Sequence, residues 1–183
     1  MTDIIKTDIC IIGAGSGGLT VAAVAAQLGA DTILIERGAM GGDCLNTGCV
    51  PSKALLAAAH RAADIRGAGA FGITVPEPEI SGAGVQAHVM GAIAQIAPRD
   101  SVESFEKYGV RVIQAAASFT GPREVAAGET RIRARRFVVA TGSSPMLPPI
   151  DGLAEVPYLT NENLFELTEV PEKLIVIGGG PIG

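Results

Sequence analysis

Apolar positions along the chain fall into two rhythms. Short β-branched runs stop abruptly at glycine-rich turns, and longer alanine-rich stretches repeat at helical spacing. The run Asp8-Ile9-Cys10-Ile11-Ile12 reads as a buried strand that stops at Gly13-Ala14-Gly15-Ser16-Gly17-Gly18. Leu19 to Leu28 then reads as a helix, with Gly29 placed to close it. Thr32-Ile33-Leu34-Ile35 is a second buried strand, ending at Glu36. Helical patterns recur from Ala54 to Arg66 and from about Gly84 to Tyr108, the latter broken at Pro98. Four short strand candidates follow: Val110–Gln114, Ala117–Thr120, Glu124–Ala126 and Thr130–Arg133. Their turn residues and close spacing predict an antiparallel meander. Phe137–Ala140 is a further buried strand, running into Thr141-Gly142-Ser143. Pro145 to Pro157 is proline-rich and reads as a linker, and Lys173–Ile177 as one more strand. Strands alternating with helices predict an α/β domain built on a parallel sheet.

The order strand, G-x-G-x-x-G, helix, strand, acid carries chemistry. Gly13, Gly15 and Gly18 hold the spacing, and Glu36 closes the unit. The glycines serve a tight turn, backbone approach to a pyrophosphate and close helix–strand packing. The helix N-terminus favours phosphate charge, and the acid suits ribose hydroxyls. This predicts a dinucleotide site. Gly178, Gly180 and Gly183 repeat the spacing after Lys173–Ile177. A second dinucleotide site is thus opened at the end of the chain, without the helix and strand that complete such a unit. The expectation is an N-terminal piece of a longer protein.

The stretch Gly41-Gly42-Asp43-Cys44-Leu45-Asn46-Thr47-Gly48-Cys49-Val50-Pro51-Ser52-Lys53 places two cysteines five positions apart. Proline is tolerated in a first helical turn, so Cys49 is expected at a helix N-terminus and Cys44 on the loop feeding it. Unpaired N–H groups and the helix dipole favour a thiolate there. The pair reads in outline as a redox dithiol. Cys10, within a strand, reads as a small buried hydrophobe. His60 and His88 lack acids or cysteines at ligand spacing and read as surface or packing residues, so no metal ligand is assigned.

The 183 residues, 48% of them apolar, suffice for one domain or slightly more. A formal charge of −5 argues against nucleic acid and anionic membrane as partners. The local basic cluster Arg131, Arg133, Arg135 and Arg136 reads as a solvated strand or turn. The opening residues 1–8 lack signal-peptide character, and no apolar run approaches membrane-spanning length. A cytoplasmic protein is expected, in which a disulfide is catalytic rather than structural.

Two fingerprints, an acid after the second strand, a C-x4-C pair, an Ala-Thr-Gly turn and a proline linker occur in one order. Together they resemble the class I pyridine nucleotide-disulfide oxidoreductases, which include dihydrolipoamide dehydrogenase and mercuric reductase. GGDCLNTGCVPSK is similar to that family's active-site signature, although Asp43 stands where the family commonly has threonine. The resemblance implies a Rossmann-like FAD-binding domain over residues 1–148, a linker over 149–171 and the start of an NAD(P)-binding domain at 172–183. It implies that Gly13, Gly15, Ser16, Gly17 and Gly18 hold the FAD pyrophosphate, with Glu36 and Arg37 at the adenosine end. Gly42, Asp43 and Lys53 would line the flavin side. Ala117 would pass the adenine, and Ala140, Thr141, Gly142 and Ser143 the cofactor near the linker. Gly178, Gly180 and Gly183 would begin the NAD or NADP site. Cys49 would be the charge-transfer thiol and Cys44 the more open interchange thiol, with Lys53 one turn past Cys49 supplying positive charge. The substrate would be a small or protein-bound disulfide or dithiol, or Hg(II), and the full-length parent a homodimer. The family's C-terminal His–Glu pair matches neither histidine here, so the piece is expected not to turn over by itself. The competing reading is a non-enzymatic dithiol module that binds a soft metal ion or senses redox state.

Overall fold

The computed structural model describes residues 4–180, 182 and 183. Six strands form one sheet in the order β3-β2-β1-β6-β5-β4. They are β1 (Ile4–Ile12), β2 (Thr32–Glu36), β3 (Val110–Gln114), β4 (Ala117–Gly121), β5 (Glu124–Ala127) and β6 (Thr130–Val139). β1 lies between β2 and β6 and runs parallel to both, and β3 runs parallel to β2. β4, β5 and β6 pair antiparallel. This is the expected Rossmann-like α/β sheet with an antiparallel extension.

β1 shows why its sequence reads as a continuous apolar run. Cys10 packs on one face of the sheet with Ile33, Val125 and Ile132. Its neighbour Ile11 packs on the other with Leu34 and with Leu19 and Ala22 of α1 (Ser16–Gln27). Alternate side chains point to opposite faces, and here both faces are covered. α1 ends as expected: Gly29 adopts φ +81°, and the Ala30 N–H donates to the Ala25 carbonyl at 3.0 Å.

Three expectations need correction. Val110–Gln114 is an edge strand of the parallel sheet, not part of the meander. Between β2 and it lie α2 (Gly42–Asn46), α3 (Cys49–Gly67), α4 (Gly82–Ile96) and α5 (Val102–Lys107), the long crossover that parallel pairing requires. Thr130–Arg133 and Phe137–Val139 belong to one continuous strand, β6. Its arginine-rich middle stays in the ladder because the charges alternate outward while Ile132 and Ala134 are buried. Arg131 and Arg133 pair with Glu124, and Arg135 with Asp8 at 2.9 Å, so the basic cluster is a solvated strand face as expected. Finally, Lys173–Ile177 forms no strand, and Ile175 is 89% exposed. A strand exists only against a partner, and among the described residues this segment has none.

The second helical stretch breaks where Pro98 stands: α4 gives way to a 3-10 turn at Ala97–Arg99 before α5. α3 and α4 pack on each other beside the sheet, with Ala54, Val89 and Phe165 buried together.

Candidate active site

The first fingerprint, Glu36 and residues 140–143 gather along the carboxyl edge of the four parallel strands. Register puts Ile12 opposite both Ile35 and Val139, and Glu36 opposite Gln114, so the four strand ends are nearly level. Two further hydrogen bonds extend the ladder: Gly13 N–H to the Ile35 carbonyl and Ala140 N–H to the Ile12 carbonyl, both 2.8 Å. Gly13 has φ +104°, and a Cβ there would overlap the Ala140 carbonyl. A Cβ on Gly18 would overlap the Gly13 carbonyl, so α1 lies as close to the turn as its backbone permits. Gly15 caps α1 without a side-chain acceptor, and no acid occupies the first turn. The first N–H groups of a twelve-residue helix therefore point outward with no intrahelical partner. Ser16 and Gly17 are exposed there, and a Cβ on Gly17 would meet nothing within 4 Å.

Glu36 spans two loops. Its Oε2 accepts the Ala14 N–H at 2.6 Å and its Oε1 the Gly38 N–H at 2.7 Å. Arg37 beside it is exposed. Ala117 opens β4 three residues past Gln114, the partner of Glu36. Thr141, Gly142 and Ser143 are exposed beyond β6, and Gly142 (φ +68°) faces Asp43: a Cβ there would lie 3.8 Å from the Asp43 carboxylate.

The dithiol is fastened to this edge through glycines. Gly41 bridges to Gly15, and its N–H donates to the Ala14 carbonyl at 2.9 Å. A Cβ on Gly42 (φ +55°) would stand 2.6 Å from the Gly15 Cα. Cys44 lies within α2 and not on a loop, contrary to expectation. The Asn46 side-chain amide winds this turn by donating to the Met40 carbonyl at 3.1 Å and the Gly42 carbonyl at 2.9 Å. Gly48 brings the next helix back onto it, since a Cβ there would be 2.8 Å from the Asp43 carbonyl oxygen. Cys49 is the first residue of α3, as expected.

The two thiols differ in exposure and in acidity. Cys49 is exposed and Cys44 half-buried, the reverse of the expected order, because α2 carries Cys44 against α3 while Cys49 opens α3 at the surface. Cys49 raises the Cys44 thiol above its ordinary range, first by hydrogen bonding and also by its charge, with burial adding to the effect. The Cys49 backbone N–H and, more weakly, the charge of the exposed Lys53 pull the other way. Burial pushes Cys10 up to about 11, in keeping with an inert strand thiol.

Asn46, Gly48 and Asn161 hold the cysteine corner and were not singled out by sequence. The Asn161 amide reaches the Thr47 carbonyl at 3.3 Å from 114 positions away. Two features of the first fingerprint recur in the second. Gly178 has φ +112°, and a Cβ on Gly183 would overlap the Gly178 carbonyl, while Gly180 stands in open space. Pro181 of that fingerprint and residues 1–3 lie outside the described residues. His60 and His88 are exposed on α3 and α4, across a cleft of about 720 Å³ that Asp64 and Glu79 also line. Among the described residues no cluster of three or more His, Cys, Asp or Glu is arranged for a metal ion, and no helix is long and apolar enough to cross a membrane.

Comparison with known proteins agrees with this geometry. The family model for pyridine nucleotide-disulphide oxidoreductases matches residues 7–183. A mercuric reductase from Streptomyces lividans is 38% identical over 182 residues, covering 96% of this chain and 38% of its own length. One from Staphylococcus aureus is 36% identical over 179 residues, covering 96% of this chain and 32% of its own. Dihydrolipoyl dehydrogenase 2 of Haloarcula marismortui is 37% identical over 185 residues, covering 97% and 39%. The chain spans less than two fifths of the length of these relatives. With both glycine turns, the acid and the cysteine pair inside the matched region, the chain belongs to the pyridine nucleotide-disulphide oxidoreductase family.

Proposed function

We propose that the chain is the FAD-binding and dithiol-bearing part of an NAD(P)H-dependent oxidoreductase, whose Cys44–Cys49 pair passes two electrons to a disulfide or to Hg(II). In this reading residues 1–148 hold FAD, 149–171 connect, and 172–183 begin the NAD or NADP domain of a cytoplasmic homodimer. The observation that carries it is the contact of Gly41 and Gly42 with Gly15, which sets the dithiol turn directly against the open N-terminus of α1.

The residues present fit a dinucleotide. Gly13 and Gly18 leave no room for side chains inside the turn, while Gly17 leaves room outside it. Unpaired N–H groups at Ser16 and Gly17 suit a pyrophosphate, and Glu36, already oriented by two backbone donors, suits ribose hydroxyls. When bound, FAD supplies hydride exchange with a nicotinamide. The protein's own part is the thiol pair: Cys49 holds the Cys44 thiol above its ordinary range, and Cys49 itself stands exposed at the helix end. The names of the relatives frame the substrate as mercuric ion or a dihydrolipoyl dithiol.

Titrating the chain with FAD and with FMN, read by flavin fluorescence, tests the cofactor assignment. FMN lacks the pyrophosphate and the adenosine, so FAD should bind at least about tenfold more tightly, a step of 1.4 kcal/mol. Glu36→Ala should remove part of that preference, the part owed to the ribose hydroxyls. Equal binding of the two flavins, or none of either, overturns the reading.

A further inference from the structure

We infer that Asn161 is a positioning residue for the dithiol, and that the segment carrying it links the region between the two fingerprints to the cysteine corner. The inference rests on reading Cys44 and Cys49 as a redox pair. Thr47 and Gly48 form the corner between the helix that holds Cys44 and the helix that Cys49 begins. The bond from Asn161 to the Thr47 carbonyl is therefore applied between the two sulfur-bearing residues. Thr47 is the cap of α2, so this carbonyl is among those a helix end leaves without an internal partner. The Thr47 hydroxyl in the same corner is buried with no partner among the described residues. The corner thus depends on an outside donor.

The segment is well placed to supply one. Thr160 N–H donates to the Asn163 side chain at 2.7 Å, and the Thr160 hydroxyl accepts the Glu162 N–H at 3.2 Å, which shapes the turn around Asn161. Phe165 anchors it, buried with Ala54 of α3 and Val89 of α4. A Cβ on Gly82 would overlap the Thr168 carbonyl, so the segment also lies flush against the start of α4. It then leads to the second fingerprint at Gly178. A displacement of that downstream region would reach the cysteine corner through one hydrogen bond.

A disulfide between Cys44 and Cys49 forms more readily when the corner is held with the two sulfurs near each other. Oxidising the pair gives one protein disulfide and two protons, while one glutathione disulfide is reduced and takes them up as two glutathione thiols. The equilibrium constant of that exchange reads the positioning directly. It is measured on the 183-residue chain in glutathione buffers, with acid quench, alkylation and peptide mapping of the Cys44–Cys49 bond. Asn161→Ala should lower the constant about three- to tenfold with little change in melting temperature. Asn161→Gln, which retains an amide donor, should recover part of the loss. Glu162→Ala, next along the segment with an exposed side chain, should leave the constant unchanged. An unchanged constant in Asn161→Ala overturns the inference, and so does an equal loss in Glu162→Ala. If the unaltered chain forms no Cys44–Cys49 disulfide in any buffer, the redox-pair reading itself fails, and this inference with it.

Discussion

Backbone contact sets what each glycine position accepts. Gly42 combines φ +55° with an approach to Gly15 that excludes any Cβ. Gly42→Ala should destabilise the fold by about 1–3 kcal/mol and weaken flavin binding more than Gly17→Ala, whose Cβ meets open space. Thermal melts and FAD titrations of both variants check this, and comparable losses would contradict it. The thiols make a second residue-scale prediction. Alkylation consumes thiolate, so the raised Cys44 should react slowly near neutral pH. Cys49→Ala removes the main cause and should speed it, while Lys53→Met removes an opposing charge and should slow it. Unchanged rates in both variants would refute the coupling. Cys10 gives a third. Its pKa rises from 9.0 to about 11 on folding, so the folded state holds its proton longer. That contribution is complete below about 9 and is lost as pH climbs towards about 11, and the alkaline fall in melting temperature should be shallower in Cys10→Ala. The glycines and Glu36 were legible in the sequence because a backbone that must touch a backbone leaves glycine at a set spacing. Asn161 was not, because a hydrogen bond across 114 positions leaves no local pattern. The exposure order of the cysteines also depended on how α2 folds back on α3, which spacing alone does not contain.

At the level of elements, β6 joins the two parts of the sheet. It pairs parallel with β1 along almost its whole length and antiparallel with β5 over Thr130–Arg133. Ile132, fully buried, sits opposite both Ile5 and Val125. Ile132→Ala should therefore cost about 2–5 kcal/mol and loosen both halves together. Hydrogen exchange monitored in β1 and in β5 distinguishes this from local damage, which would raise exchange in β5 alone. The strands themselves were legible from apolar runs, but their pairing was not. A five-residue run such as Val110–Gln114 suits a parallel edge or a meander equally well, and the four-helix crossover before it decides. The charged middle of β6 read as a break because the pattern of four arginines hides the alternation of Ile132 and Ala134 beneath it.

For the whole molecule, burial divides the region after β6 into a part packed on α3 and α4 and a part exposed to solvent. Phe165 is 9% exposed, in contact with the α3–α4 pair, whereas Leu174, Ile175, Val176 and Ile177 are all exposed. The second fingerprint keeps its turn without any strand beneath it, since Gly178 and Gly183 meet through their own backbone. Its shape is therefore local, and among the described elements residues 174–177 have no strand partner. Removing residues 172–183 should then leave the melting temperature within about 2 °C, because no buried contact is lost. It should also lower self-association, because a short apolar run with unpaired backbone groups no longer meets solvent. Removing residues 158–183 instead takes away Phe165 and the Asn161 bond, and should lower the midpoint by about 6 °C or more. Circular dichroism melts and sedimentation of the three chain lengths measure both effects. A large loss already on removing 172–183 would mean that this segment is packed in solution, and would move the proposed domain boundary towards the end of the chain. Equal stability of all three lengths would mean that the segment through Asn161 is not docked, which would remove the physical connection between the second fingerprint and the dithiol.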